Sequence, residues 1–89
     1  MYRLELTPRA RRELDKLRGR ALDRVVGVIQ ELGHNPRPAG VRKVRGPIHR
    51  IRSGAWRIIY ALFDKDQLVI VGKVARRAED TYDRVDELF

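Results

Sequence analysis

Two apolar runs, Trp56–Phe63 and Gln67–Ala75, are separated only by Asp64, Lys65 and Asp66. The first run is dense in aromatic and β-branched residues, and the second is almost continuously apolar. The break between them is the length of a tight turn. Such a pair folds as an antiparallel hairpin. A sheet built on it is not stable with both faces in water. The rest of the 89-residue chain must therefore supply a cover.

The N-terminal third contains that cover. Tyr2, Leu4 and Leu6 alternate with Arg3 and Glu5, as in a half-buried strand. Thr7-Pro8 then reads as an N-cap followed by proline at the first helical position. Ala10, Leu14 and Leu17 fall at helical spacing, and Gly19 breaks the run. Leu22, Val25, Val26, Ile29 and Leu32 make a second apolar stripe. Gly33 reads as its C-cap, ahead of the loop His34-Asn35-Pro36-Arg37-Pro38. Two short amphipathic helices, spanning 8–33, must lay these stripes on the sheet.

Two further strands are expected at Val41–Arg45, closed by Gly46-Pro47, and at Ile48–Arg52, closed by Ser53-Gly54. The tail from Ala78 to Phe89, with Tyr82, Val85 and Phe89 on one side, is an optional final helix. The expected fold is α+β in order β-α-α-β-β-β: two N-terminal helices on one face of a three- to four-stranded antiparallel sheet. Length and the absence of a linker predict one domain over 1–89.

Composition excludes several classes. There is no cysteine, hence no disulfide and no thiolate metal site. The start MYRLELTPRA has no apolar core of a signal peptide. The apolar runs are too short to span a bilayer. A cytoplasmic protein without membrane contact is the expectation. No cluster of His and acids has metal-ligand spacing and no glycine-rich phosphate loop is present, so neither metal nor cofactor is expected.

The net charge is +8, with 16 Arg among the 20 basic residues. That favours a polyanionic partner, and arginine grips phosphate bidentately. The charge is also placed. Between Leu32 and Phe63 lie Arg37, Arg42, Lys43, Arg45, Arg50, Arg52 and Arg57, with no acid among them. From Glu79 to Glu87 acids dominate. Strand alternation points Arg50 and Arg52 to one side, with Arg57 on the neighbouring strand. In a regular last strand, either Arg76 or Arg77 shares that side. Lys43 and Arg45 join Arg50 and Arg52 as candidate phosphate binders. Tyr82, just beyond, could stack a base. His49 and His34 are the only histidines. His49 or an acid is left as candidate proton acceptor, although a lone strand histidine is more often structural. Cleavage of RNA by such a site would use the RNA 2′-OH as nucleophile, with the protein positioning and stabilising charge on the phosphate.

The stretches LTPRARRELDKL, HNPRPAG, KVRGPIHRIRSGAWRIIYALFD and VGKVARRAEDTY resemble the RelE/ParE superfamily of toxins over nearly the whole chain. Most specific is Arg-x-Arg-x-Gly-x-x-Arg-Ile-x-Tyr, here Arg50, Arg52, Gly54, Arg57, Ile58 and Tyr60. The resemblance implies a microbial type II toxin silenced by a cognate antitoxin protein. In the RelE branch it implies a ribosome-dependent endoribonuclease, an mRNA interferase that cuts messenger RNA in the ribosomal A site and inhibits translation. By motif position, Arg57 would clamp the scissile phosphate, Arg76 or Arg77 would act as acid or stabilise the transition state, and Tyr82 would orient a base. Arg50 and Arg52 stand where RelE-like enzymes often carry lysine, and arginine cannot give up its proton. Ala75 stands where many relatives carry histidine. These departures keep two alternatives open: a ParE-like inhibitor of DNA gyrase without nuclease chemistry, and a degenerate member that only binds RNA or an antitoxin.

Overall fold

The computed structural model describes residues 1–76 and 88–89. Its elements are β1 (Arg3–Leu6), α1 (Pro8–Asp15), α2 (Gly19–His34), β2 (Arg42–Arg45), β3 (Ile48–Ser53), β4 (Trp56–Phe63) and β5 (Leu68–Arg76). The optional helix from Ala78 lies outside the described residues.

The apolar hairpin sits at the centre. The strands form one five-stranded sheet in the order β1-β5-β4-β3-β2. β2, β3, β4 and β5 pair antiparallel through short turns, but β1 pairs parallel with β5, Leu4 beside Val69 and Leu6 beside Val71. The fold class is the expected α+β. The sheet is wider than the expected three to four strands, and mixed. The reason is that parallel neighbours need a long crossover. Here α1, α2 and the three other strands intervene, so no turn motif marks β1's partner.

Helix α1 starts as its cap residues require: Thr7 Oγ1 accepts the Ala10 N–H at 3.1 Å, and Pro8 opens the first turn. The turn into α2 needs Gly19, whose φ is +59°. Ala10, Leu17, Val25, Ile29 and Leu32 face Ile51, Ile58, Tyr60, Leu62, Val69, Val71 and Val74 across the main core. Leu14, Leu22 and Val28 pack at its margin, while Val26 is only partly covered. Each aliphatic side chain so buried contributes roughly 1.5–3 kcal/mol relative to exposure.

Gly33 does not cap α2, which runs one residue further to His34 with Asn35 as C-cap. It is small because β1 crosses it. A Cβ there would lie 3.3 Å from the Tyr2 carbonyl and 3.4 Å from a Leu4 methyl, and the Tyr2 N–H donates to the Gly33 carbonyl at 2.8 Å. The loop after α2 is pinned to the β4–β5 turn. The Arg37 guanidinium forks onto Asp64 at 3.0 and 2.7 Å, and the Tyr2 hydroxyl donates to the same carboxylate at 2.7 Å. The Tyr60 hydroxyl donates to the Pro36 carbonyl at 2.6 Å from within the core.

Candidate nucleic-acid interface

Both helices lie on one side of the sheet, where Ile51, Ile58 and Tyr60 point. Alternation sends Arg50, Arg52 and Arg57 to the other side. The register sharpens this. Arg52 is directly opposite Arg57, and Arg42 is directly opposite Arg50. Directly paired residues share a face and stand about 5 Å apart, a placement that is unfavourable for like charges. The sheet thus carries two rows of facing arginines on the side away from the helices. A recess of about 330 Å³ at the β2 edge is lined by Arg42, Arg50, Arg52, Ala39 and Gly40. Arg57 is partly buried, with its Nε shut off from solvent, while Arg52 extends into it. In β5, Ala75 stands opposite Arg57.

The same face has an apolar floor. Ile48 and Ile59 form a small second cluster on which Val44 and Leu88 pack. Gly72 falls where β5 is bulged against β4. A Cβ there would lie 2.6 Å from the Phe89 ring, so the last two residues of the chain cover this floor.

Three expected site residues lie elsewhere. His49 faces the helix side and is 7% exposed. Its Nδ1 is 2.8 Å from the Pro47 carbonyl, to which it can only donate, and its ring stacks on Tyr60 at 5.6 Å. It is packed among helix-side residues, with the sheet between it and Arg57. Arg76 pairs opposite Trp56, and its guanidinium lies 5.2 Å from the centre of that ring, again on the helix side. Lys43 pairs with His49, also away from Arg50. Arg45 stands opposite Ile48, past a bulge in β2. Arg77 and Tyr82 lie outside the described residues.

The fold and the motif both have known counterparts. A profile described as ParE toxin of type II toxin–antitoxin system, parDE, matches residues 4–81. The chain belongs to the RelE/ParE superfamily of type II toxins. Among solved structures it is similar to the RelBE2 toxin–antitoxin complex of Mycobacterium tuberculosis, at 29% identity and TM-score 0.74, covering 85% of this chain and 98% of that one. It is similar to the isolated Escherichia coli RelE toxin at 25% identity and TM-score 0.74, covering 99% and 96%. The archaeal RelE–RelB complex from Pyrococcus horikoshii OT3 shares the fold, with TM-score 0.80 at 24% identity over 89% and 98%. No curated protein matches by sequence.

Within this superfamily fold, two basic residues of the face away from the helices escaped the sequence reading. Arg42 takes the place expected of Lys43, a shift of one residue that inverts the face of every side chain in a strand. Lys73 stands opposite Ile59, in the row that also holds Arg50 and Arg42. Strand alternation back from Arg77 through Ala75 points to Lys73 as well. Among the described residues no helix is long and apolar enough to cross a membrane.

Proposed function

We propose that this toxin is a ribosome-dependent endoribonuclease of the RelE type, with the arginines of the face away from the helices as its phosphate clamp. The observation that carries the reading is the direct register of Arg52 with Arg57 and of Arg42 with Arg50 on the face away from the helices. Guanidinium groups brought to one face by this register suit a phosphodiester backbone, which each can grip bidentately. In the proposed reaction the RNA 2′-hydroxyl gives its proton to water and attacks the adjacent phosphorus, the bond to the 5′-oxygen breaks, and that oxygen leaves with a proton from water, so that a 2′,3′-cyclic phosphate remains. The phosphoryl oxygens gain charge in the transition state, where fixed guanidinium groups hold them best. Arg57 is the central clamp, partly buried and so held in one place. Arg50 and Arg52 bind the flanking backbone, and being permanently protonated they take no part as bases. Arg77 and Tyr82 keep the roles that the resemblance implies, as transition-state donor and base stack.

The solved toxin–antitoxin complexes support a cognate antitoxin as partner. The alternative target, DNA gyrase, is favoured by the ParE family match and by Ala75 standing opposite Arg57 in place of a histidine. The test sets message cleavage on purified ribosomes against inhibition of gyrase supercoiling. Cleavage supports the nuclease reading. Supercoiling inhibition without cleavage moves the protein to the gyrase branch.

A further inference from the structure

A second basic surface lies on the opposite side of the sheet, where the α1–α2 hinge meets the β3–β4 turn. Trp56, the only tryptophan, sits between two recesses. One, of about 220 Å³, is bounded by Lys16, Glu13 and Arg76. The other, of about 270 Å³, is bounded by Arg20 and Arg24. The indole is partly buried against the main core, which fixes its position. Arg76 lies over its ring at 5.2 Å. Arg24 reaches across the β3–β4 turn, where Gly54 leaves it room: a Cβ on Gly54 would lie 3.2 Å from Arg24 Nη1. Lys16, Arg20, Arg24 and Arg76 are all exposed. Among the described residues the one acid in the lining, Glu13, is engaged, accepting the Val74 N–H at 2.9 Å and Arg9 at 3.4 Å.

We infer that this corner is a second nucleic-acid site, which holds a single-stranded segment with its phosphates on Lys16, Arg20 and Arg24 and a base against Trp56. The chemistry is that of a stacking platform inside an electrostatic funnel: a rigid ring for the base and guanidinium groups for the backbone. An acidic peptide would satisfy the cations but has no use for a ring held between two base-sized recesses. The site lies on the other face of the sheet from the Arg57 clamp and does not depend on whether that clamp cuts RNA.

The sole tryptophan makes the test direct. The intact protein is titrated with a 2′-O-methylated RNA oligomer of about 12 nucleotides, which cannot be cleaved and is long enough to span such a site. Expected is quenching of Trp56 fluorescence, with an affinity that falls with salt at a log–log slope of about −2 for three phosphate contacts. The double variant Arg20→Glu/Arg24→Glu should lose the quench and bind at least about 10-fold more weakly at low salt. Both positions are on the surface, and an unchanged circular dichroism spectrum and melting temperature confirm folding. Arg57→Ala should keep the quench, because it changes the other face. Trp56→Phe, followed by anisotropy of a labelled oligomer, should weaken binding while retaining the salt slope. Quenching that survives Arg20→Glu/Arg24→Glu, or that vanishes in Arg57→Ala, overturns the proposal. So does equal quenching and full competition by poly-glutamate, which would assign the corner to an acidic protein.

Discussion

At the scale of single residues, what alternation could reach and what it could not are sharply divided. Arg50, Arg52 and Arg57 were placeable from the sequence because β3 and β4 are regular and joined by a short turn. Lys43 and His49 were misplaced, and Arg76 was not told apart from Arg77, because a period of two carries no record of which parity faces the helices, nor of bulges such as those in β2 and β5. Tyr60 is the most consequential polar group in the core. It is fully buried, and burial pushes its phenol up to about 12 from 10.0. Its folded value lies above its unfolded one, so the neutral phenol's contribution is complete below pH 10 and is lost as pH rises toward 12. Tyr60→Phe leaves the Pro36 carbonyl without this donor and should cost about 1–3 kcal/mol at neutral pH. The same variant should lose less further stability than wild type between pH 10 and 12. Denaturant melts at pH 7, 10 and 12 check both expectations, and equal alkaline losses in the two proteins would refute the second.

At the scale of elements, α1 and α2 were legible because cap chemistry and helical stripes are local. Thr7 is the clearest case. Thr7→Ala removes the bond to the Ala10 N–H and should cost about 1 kcal/mol, read as a lower urea midpoint with unchanged slope. Gly33 was legible as a glycine that matters but not for its reason, since the crossing of β1 is a long-range event. The loop between α2 and β2 is held by Asp64, whose carboxyl is lowered to about 2 by the Arg37 guanidinium and then by the Tyr2 hydroxyl. Its folded value lies below the ordinary 3.8, so its contribution is present above about pH 4 and is lost as pH falls toward 2. Asp64→Asn should therefore lower the melting temperature at pH 7, and the gap to wild type should close between pH 4 and 2. A gap that persists at pH 2 would show that the loop is held by something else. All three groups are exposed, so added salt should also narrow the gap.

At the scale of the whole molecule, the division of labour follows from where the helices lie. They close one side of the sheet over the core, and the rows of arginines lie on the other. The family and the fold class were readable because the strand motif and the helical stripes are contiguous in sequence. The parallel pairing of β1 with β5 and the second basic corner were not, because each is assembled from segments far apart in the chain. A net charge of +8 should make association with an acidic antitoxin segment fast and salt-dependent. Stopped-flow association rates that do not fall with ionic strength would remove the electrostatic part of that expectation.

The Arg57 clamp is tested most directly by message cleavage on purified ribosomes, wild type beside Arg57→Ala and Arg57→Lys. Loss of one preorganised donor of this kind typically costs on the order of 10²–10³ in rate. Arg57→Ala, shown to be folded by its melting temperature, should fall by about that factor. Arg57→Lys should recover only part of it, because a point charge does not reproduce the planar fork. Undiminished cleavage by a folded Arg57→Ala protein would contradict the clamp outright.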